Sequence, residues 1–442
     1  MSLQTPDKIR TLQRKLYLKA KQEPAFRFYQ LYDKVWRDDI LEHAYLLCKS
    51  NRGASGVDGT TFDQIETQGR QQWLAKLRKE LHDKTYKPDP VRRVMIPKPG
   101  GGERPLGIPT IRDRVAQTAA VLVLEPIFEA DFVDEAYGYR PKRSAADAVK
   151  AVHQSLREGY TDVVDADLSK YFDTIPHREL LKSVARRIVD RPMLRLIRMW
   201  LKVPVQERDE QGNQRMSGGR RSKRGTPQGG VISPLLANIY MHRYLRYWHQ
   251  SGKCEQFRAR IVNYADDFVI LCRGKAAAAM EWTRQVMARL GLTLNATKTC
   301  VKNACRESFD FLGYAFGVKV VFTPTGCRRM DARPSDKSVT RVKRKLHEVL
   351  GPQNHAPWPE VAEQVNRVLV GWSNYFSHGT IYYAYRAVDN HLYDRVRHFL
   401  RRRHKIKSGG TSLLPTGKSL RVWGIVRLLD VMRSRRAACV LG

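Results

Sequence analysis

The sequence predicts an α+β fold with more than one domain. Up to Pro334, helix-period and period-two segments mix without regular strand–helix–strand alternation, and two short strands close on an acidic turn. Past Pro334 only helix patterns remain. At 442 residues the chain exceeds what one core usually organises, and its 42% hydrophobic content excludes wholesale disorder.

Residues 1–50 are expected to be helical, because Phe28, Leu31, Tyr32, Val35 and Trp36 recur three and four apart. Residues 51–59 form a glycine-rich loop, and a second helical stretch over 62–81 is stopped by Pro88 and Pro90. Residues 91–96 read as a strand entering the Pro/Gly turn 97–102. Helix returns over 112–124, then a strand over 162–168 sets Val163 and Val164 beside Asp165 and Asp167. Residues 210–226 are basic and glycine-rich, a loop leading into an apolar helix over 231–240. Residues 260–272 read as two strands joined by a turn at Ala265, Asp266 and Asp267.

Beyond Pro334, Val361, Val365, Val368, Leu369 and Trp372 share one helical face behind Pro359. Tyr385, Val388, Leu392, Val396 and Phe399 form a second stripe, and with 342–350 they predict a small bundle. Arg401, Arg402, Arg403, Lys405 and Lys407 then run into Gly409 and Gly410, a linker before a basic tail.

Charge narrows the function. Lys and Arg total 79 against 44 Asp and Glu, a formal net charge of +35. A body this basic repels itself unless a polyanion neutralises it, and nucleic acid does so with release of condensed counterions. Residues 333–442 alone carry 21 Lys/Arg against 7 Asp/Glu. Seven cysteines without a paired Cys-x-x-Cys spacing predict structural thiols rather than a zinc site at Cys300, Cys305 and Cys327. The polar N-terminus and the lack of an apolar run near the roughly 20 residues of a membrane span predict a reduced cytoplasmic protein with no membrane partner.

The chemistry is expected at the acidic turn. Asp266 and Asp267, adjacent at a hairpin tip, repel each other unless a cation lies beside them. Hard divalent ions prefer such oxygen ligands and keep positions open for phosphate. Asp167 closes the 162–168 strand, where it can meet the hairpin tip across a sheet. Asp165 shares its strand face by the period of two, so spacing alone leaves both.

Several blocks, in order over residues 50–320, resemble the bacterial group II intron reverse transcriptases. Asp167-Leu-Ser-Lys-Tyr-Phe-Asp173 with Ile175-Pro176-His177 is similar to their first palm motif, and Tyr264-Ala265-Asp266-Asp267 to their metal-binding tetrad. The stretch Gly225-Thr-Pro-Gln-Gly-Gly-Val-Ile-Ser-Pro-Leu-Leu-Ala-Asn238 resembles the fourth block almost residue for residue. Arg104 to Pro109 resembles the first block, Ala136 to Pro141 the second, Gly291 to Asn295 with Lys298-Thr299 the sixth, and Phe311 to Tyr314 the seventh.

The resemblance implies a right-hand polymerase architecture: fingers and palm, then an α-helical thumb (maturase) domain. The expected divisions are 1–85 (N-terminal extension and start of the fingers), 86–325, 333–404, and a short basic DNA-binding-like tail over 405–442. It implies an RNA-directed DNA polymerase with Asp167, Asp266 and Asp267 catalytic, and with Leu168 added to them around Mg²⁺, for which Mn²⁺ can substitute. Asp167 is placed over Asp165 because Phe172 and Asp173 then fall at the family's offsets.

Phe172 is implied as the gate that excludes a 2′-hydroxyl. Lys98, Arg104, Gln228 and Lys298 are implied at the nucleotide, where an arginine fork suits phosphate oxygens. Gly229 is implied along the primer path, where glycine lets backbone approach substrate. Trp372-Ser373-Asn374-Tyr375-Phe376 resembles the thumb, so Trp372 and Tyr375 are implied at primer and template, with Phe376, Tyr382 and Tyr383 as further rings able to stack bases or fill the bundle.

Expected partners are a group II intron RNA or other RNA template, a DNA primer or target, and deoxynucleotides. The tail has no Cys/His cluster, so the family's His-Asn-His endonuclease is not expected. Its basic residues Lys418, Arg421, Arg427 and Arg433 fit the family's DNA-binding segment or a plain basic tail. An intron-encoded maturase that splices and retrohomes is the leading reading. A free-standing relative serving phage defence or DNA repair stays open, and the intact carboxylates argue against a lapsed polymerase that only binds RNA.

Overall fold

The computed structural model describes residues 3–97, 102–208, 213–320, 328–405 and 420–440. Lys98, Cys327, the 409–410 glycines and Lys418 therefore lie outside the described residues.

Eleven strands are described: β1 (Val91–Pro97), β2 (Glu103–Ile108), β3 (Asp162–Asp167), β4 (Pro204–Arg208), β5 (Gln214–Gly218), β6 (Ala259–Tyr264), β7 (Asp267–Cys272), β8 (Cys300–Asn303), β9 (Phe309–Phe311), β10 (Tyr314–Val320) and β11 (Arg328–Pro334). They form three sheets, ordered β2-β1-β4-β5, β6-β7-β3-β8 and β11-β10-β9. The α+β expectation holds. The central sheet is antiparallel throughout, with β3 between β7 and β8.

Alternation along the central strands explains why they sit between two cores. Val163, Val262, Val269 and Leu271 pack on Val149, Val152 and Leu156 of the helix Ala145–Arg157. Their neighbours Val164, Ala166, Ile261, Phe268 and Ile270 face the other way, into the large core with Tyr244 and Trp248 of the helix Ser233–Gln250. A period of two on strands buried on both faces produces such apolar runs. The carboxylates at the ends of β3 and β7 are what remains when both cores are filled.

Four segments differ from expectation. The 28–36 stripe is not one helix: Phe28 pairs with Ile188 in a β-bridge, and only Tyr32–Val35 forms a single helical turn. The 62–81 stretch is two helices, Phe62–Gln68 and Arg70–His82, broken at Gly69 with φ 104°, a conformation glycine tolerates and other residues avoid. The basic 210–226 segment is not all loop: β5 pairs with β4 and extends the outer sheet. The helix expected over 231–240 runs on to Gln250.

A separate apolar cluster holds the helices Asp336–Val349, Trp358–Tyr375 and Tyr382–Arg403 together. Residues 420–440, expected as a basic tail, join this cluster through Leu420, Ile425, Leu428, Leu429 and Met432. Buried Asp389 accepts the backbone N–H groups of Leu428 (2.9 Å) and Leu429 (3.1 Å), capping the helix Leu428–Val440. Asn366 adds bonds to Gly424 and Val426. Arg421 and Arg433 pair with Asp430, and Arg427 with Asp389, so these basic residues are partly spent on folding. Among the described residues no helix is long and apolar enough to cross a membrane.

Candidate active site

The site begins at the turn between β6 and β7. Antiparallel register sets Tyr264 opposite Asp267 and forces a two-residue turn of Ala265 and Asp266. Ala265 takes φ 60°, a left-handed conformation that is unfavourable for alanine, so neighbours must hold it. The Asn263 side chain bonds the Ala265 carbonyl at 3.0 Å, and the Asn263 backbone bonds Glu135 and Tyr137. Gly138 lies against the turn so closely that a Cβ there would stand 2.5 Å from the Ala265 nitrogen. Asn238 fixes the Gly138 carbonyl at 2.8 Å. The block at 136–141 is thus the seat of the acidic turn. Gly138→Ala is expected to displace the hairpin and slow primer extension about a hundredfold, the effect of an ångström-scale misplacement, with RNA affinity unchanged. Extension at the normal rate would show that the seat is not demanding.

β3 brings the third carboxylate. Asp167 is the direct cross-strand partner of Asp267, whereas Asp165 faces Val269 and Cys300 in mid-strand. Asp167 Oδ2 receives the Lys298 ammonium at 3.1 Å and the Asn295 amide at 3.1 Å, and its backbone N–H reaches Thr299 Oγ1 at 3.4 Å. Asn295 and Thr299 had stood out in the sequence only as members of a block. The Asn295 Oδ1 bond to the Thr297 backbone, an Asx turn, is the local signal that this residue shapes a loop.

Electrostatics in the site favour a cation. Asp266 is pushed above the usual carboxylate range by burial, with Asp167 adding to it while Arg104 and Lys298 oppose. Asp267 reaches the surface at the cleft rim, yet loss of hydration there, followed by Asp266, Asp167 and Asp165, pushes it up to about 7. Burial also raises Asp165 to about 6, with Lys302 opposing. Asp167, Asp266 and Asp267 are hard oxygen donors that oppose one another's charge, and Lys298 already holds a positive charge against Asp167. They suit a divalent ion. Among the described residues no three His, Cys, Asp or Glu side chains stand close enough to enclose an ion unaided. An ion here needs further oxygens, the usual state of Mg²⁺ at a phosphate-transfer site. Leu168, with its apolar side chain buried, has only its backbone carbonyl to offer.

Of the residues expected at a nucleotide, Arg104, Phe172, Gln228 and Lys298 lie beside this centre, and Lys98 is outside the described residues. Phe172 is buried in the turn Tyr171–Thr174, edge-on to Tyr171 and Tyr139. Its carbonyl accepts the Thr226 N–H at 2.7 Å, which ties the first palm motif to the 225–238 block. Gln228 bridges the two: Nε2 donates to Asp173 at 2.9 Å and Oε1 accepts from Arg104 at 3.0 Å. Gly229, at φ 107°, lies where a side chain would strike the Gly107 carbonyl. Tyr139, also unmarked from sequence, sits near Asp266, Asp267 and Arg104.

Trp372 and Tyr375 lie elsewhere, in a groove of about 620 Å³ between the helices Asp336–Val349 and Trp358–Tyr375. Arg341, Lys345 and Arg367 line it. Trp372 packs against Phe376 and Tyr385 in the bundle. Tyr375 is 41% exposed and bonds the Leu312 carbonyl at 2.9 Å, leaving it the better placed of the two to meet a ligand.

Comparison with known proteins agrees with this geometry. Residues 96–316, half of the chain, match the model for reverse transcriptase (RNA-dependent DNA polymerase). Residues 339–414 match the group II intron maturase-specific domain. Protein YkfC of Escherichia coli is 36% identical over 343 residues, covering 69% of this chain and 87% of that protein. The chain belongs to the group II intron-type reverse transcriptases. The group II intron-encoded protein LtrA of Lactococcus lactis subsp. cremoris is 38% identical to this reverse transcriptase over 218 residues, 49% of this chain and 34% of LtrA. A putative COX1/OXI3 intron 1 protein of Saccharomyces cerevisiae is 28% identical over 330 residues, 63% of this chain and 38% of the yeast protein. The reverse transcriptase thus spans most of YkfC but well under half of these intron proteins.

Proposed function

We propose that the chain copies group II intron RNA into DNA by divalent-metal nucleotidyl transfer, and that it binds the same RNA to assist splicing and retrohoming. The observation that carries the polymerase chemistry is the register of Asp167 on Asp267 with Asp266 at the turn between. Mg²⁺, or Mn²⁺ in its place, would be held by Asp167, Asp266, Asp267 and the Leu168 carbonyl, where it lowers the cost of negative charge as the 3′-hydroxyl attacks and pyrophosphate leaves.

The chain's own groups do the positioning. Arg104 sits beside Gln228 with its fork directed by that amide, ready to bond triphosphate oxygens, and Lys98 is assigned the same task by resemblance. Lys298, now paired with Asp167, would be free to bond triphosphate oxygens were an ion held there in its place. Phe172 closes the space under the sugar, and Gly229 leaves room for the primer end. The basic groove by Tyr375 receives primer and template, with Trp372 as its floor.

Two measurements test this reading. The purified chain is expected to extend a DNA primer on an RNA template with deoxynucleotides and Mg²⁺, and to stop on chelation; a folded chain that extends nothing would contradict it. For the maturase part, a group II intron precursor is expected to splice at lower Mg²⁺ when the chain is added. RNA affinity should also fall with salt by about 0.7–0.9 log units per log unit of salt for each phosphate contacted, and a flat response would remove the electrostatic basis.

A further inference from the structure

Asp173 is an acid in a place that a triphosphate would disfavour. It is exposed, one amide away from Arg104, and by charge alone it repels a polyanion there. Neither the metal ligands nor the groups assigned to the nucleotide include it. Its carboxylate is bonded to the Gln228 side chain at 2.9 Å.

Asp173, Gln228 and Arg104 form a chain with one workable order of donors and acceptors. A carboxylate only accepts hydrogen bonds, and a guanidinium only donates them. The amide between them must turn Nε2 to Asp173 and Oε1 to Arg104, as it does at 2.9 and 3.0 Å. The bond to Arg104 uses Nε and leaves the two terminal nitrogens of the fork to meet phosphate oxygens. Gln228 and Arg104 are long side chains, and ordering each of them costs entropy. A group that holds the amide beforehand removes part of that cost from nucleotide binding.

Asp173 is the fixed end of the chain. Its turn, Tyr171–Thr174, is closed by the Asp173 and Thr174 N–H groups on the Lys170 carbonyl. The 223–226 backbone runs alongside, with Thr226 bonded to Phe172 (2.7 Å), Gly225 to Ile175 (2.9 Å) and His177 to Lys223 (2.9 Å). Gly225, at φ 93°, permits this approach, since a Cβ there would stand 3.1 Å from the Asp173 carbonyl oxygen. At the other end, the Gly107 N–H bonds the Gln228 carbonyl, so β2, which carries Arg104, is tied to the same residue.

We propose that Asp173 is a positioning residue for the incoming nucleotide. It fixes the Gln228 amide, which in turn holds Arg104 with its fork open to the triphosphate. This rests on the reading above that places Arg104 at the triphosphate. The carboxylate acts through the two side chains between it and the phosphate, and the order it imposes outweighs the repulsion it adds.

Steady-state extension on a saturating, pre-annealed primer and RNA template, with one deoxynucleotide varied, separates KM from kcat. Asp173→Asn keeps the shape but offers a donor as well as an acceptor, so Gln228 can face it either way round. KM for the deoxynucleotide is expected to rise about tenfold, the worth of one hydrogen bond to a charged group, with kcat within about twofold and melting temperature unchanged. Gln228→Glu is expected to raise KM as well, because two carboxylates then face each other. Asp173→Asn/Gln228→Glu restores both the donor–acceptor order and the net charge, so its KM is expected to return to within about threefold of wild type. An acid that is merely exposed predicts the opposite sign, since Asp173→Asn would then relieve repulsion and lower KM. A lowered or unchanged KM in Asp173→Asn overturns the proposal, as does a double variant whose losses multiply. So does a fall in kcat at unchanged KM, which would put Asp173 among the reacting groups. Arg104→Gln separates this proposal from the reading beneath it. If Arg104→Gln raises KM and Asp173→Asn does not, the positioning role alone fails; if Arg104→Gln leaves KM unchanged, the triphosphate lies elsewhere and both fail.

Discussion

Asp266→Ala is expected to reduce primer extension on an RNA template at least about a thousandfold while RNA binding persists. Removing a ligand that neutralises developing charge forfeits several kcal/mol of transition-state stabilisation, and about 1.4 kcal/mol is a factor of ten in rate. The fold should tolerate the change. Asp266 occupies the second residue of a turn whose seat is built from Asn263, Gly138 and Asn238 rather than from its own carboxylate. Its charged form is opposed by burial and by Asp167, so alanine relieves repulsion in the ion-free chain. Single-turnover extension, with RNA binding measured on the same preparation, checks this. Extension at the wild-type rate would show that the metal lies elsewhere.

Phe172→Val is expected to raise incorporation of ribonucleotides relative to deoxynucleotides by about a hundredfold, equivalent to roughly 3 kcal/mol of lost discrimination. The ring is held from two sides by Tyr171 and Tyr139, so it cannot swing away from a 2′-hydroxyl. Its backbone bond to Thr226 keeps the turn in place whatever the side chain. Valine is the better probe than alanine, because emptying a buried Phe site to alanine typically destabilises by about 3–5 kcal/mol. Steady-state incorporation of each nucleotide opposite the same template base decides it; unchanged discrimination would make Phe172 a core residue and move the gate to Tyr139.

Much of the centre was legible because its cause is local. The Tyr264–Asp267 turn lies between two apolar runs, and near-continuous burial of β6 and β7 leaves the carboxylates at the tip. The pairing of β3 with β7 was expected only as a requirement of the chemistry, and the register of Asp167 on Asp267 meets it. What stayed hidden depends on distant partners. β5 is polar and ends at glycines, and becomes a strand only because β4 offers it an edge. Gly69 lies inside the 62–81 stretch expected as one helix, yet its positive φ starts a new helix. In 420–440 the arginines masked an apolar stripe that docks on the bundle through Asp389.

The central claim is that Asp167, Asp266 and Asp267 share divalent ions across the gap between β3 and the β6–β7 turn. Its most direct test is Mn²⁺ binding, followed by electron paramagnetic resonance, to the complex of the chain with primer, RNA template and a non-hydrolysable deoxynucleotide. Wild type is expected to bind Mn²⁺ in this complex, and Asp167→Asn/Asp266→Asn to lose that binding while still holding primer and template. Equal Mn²⁺ binding by the folded double variant would contradict the account.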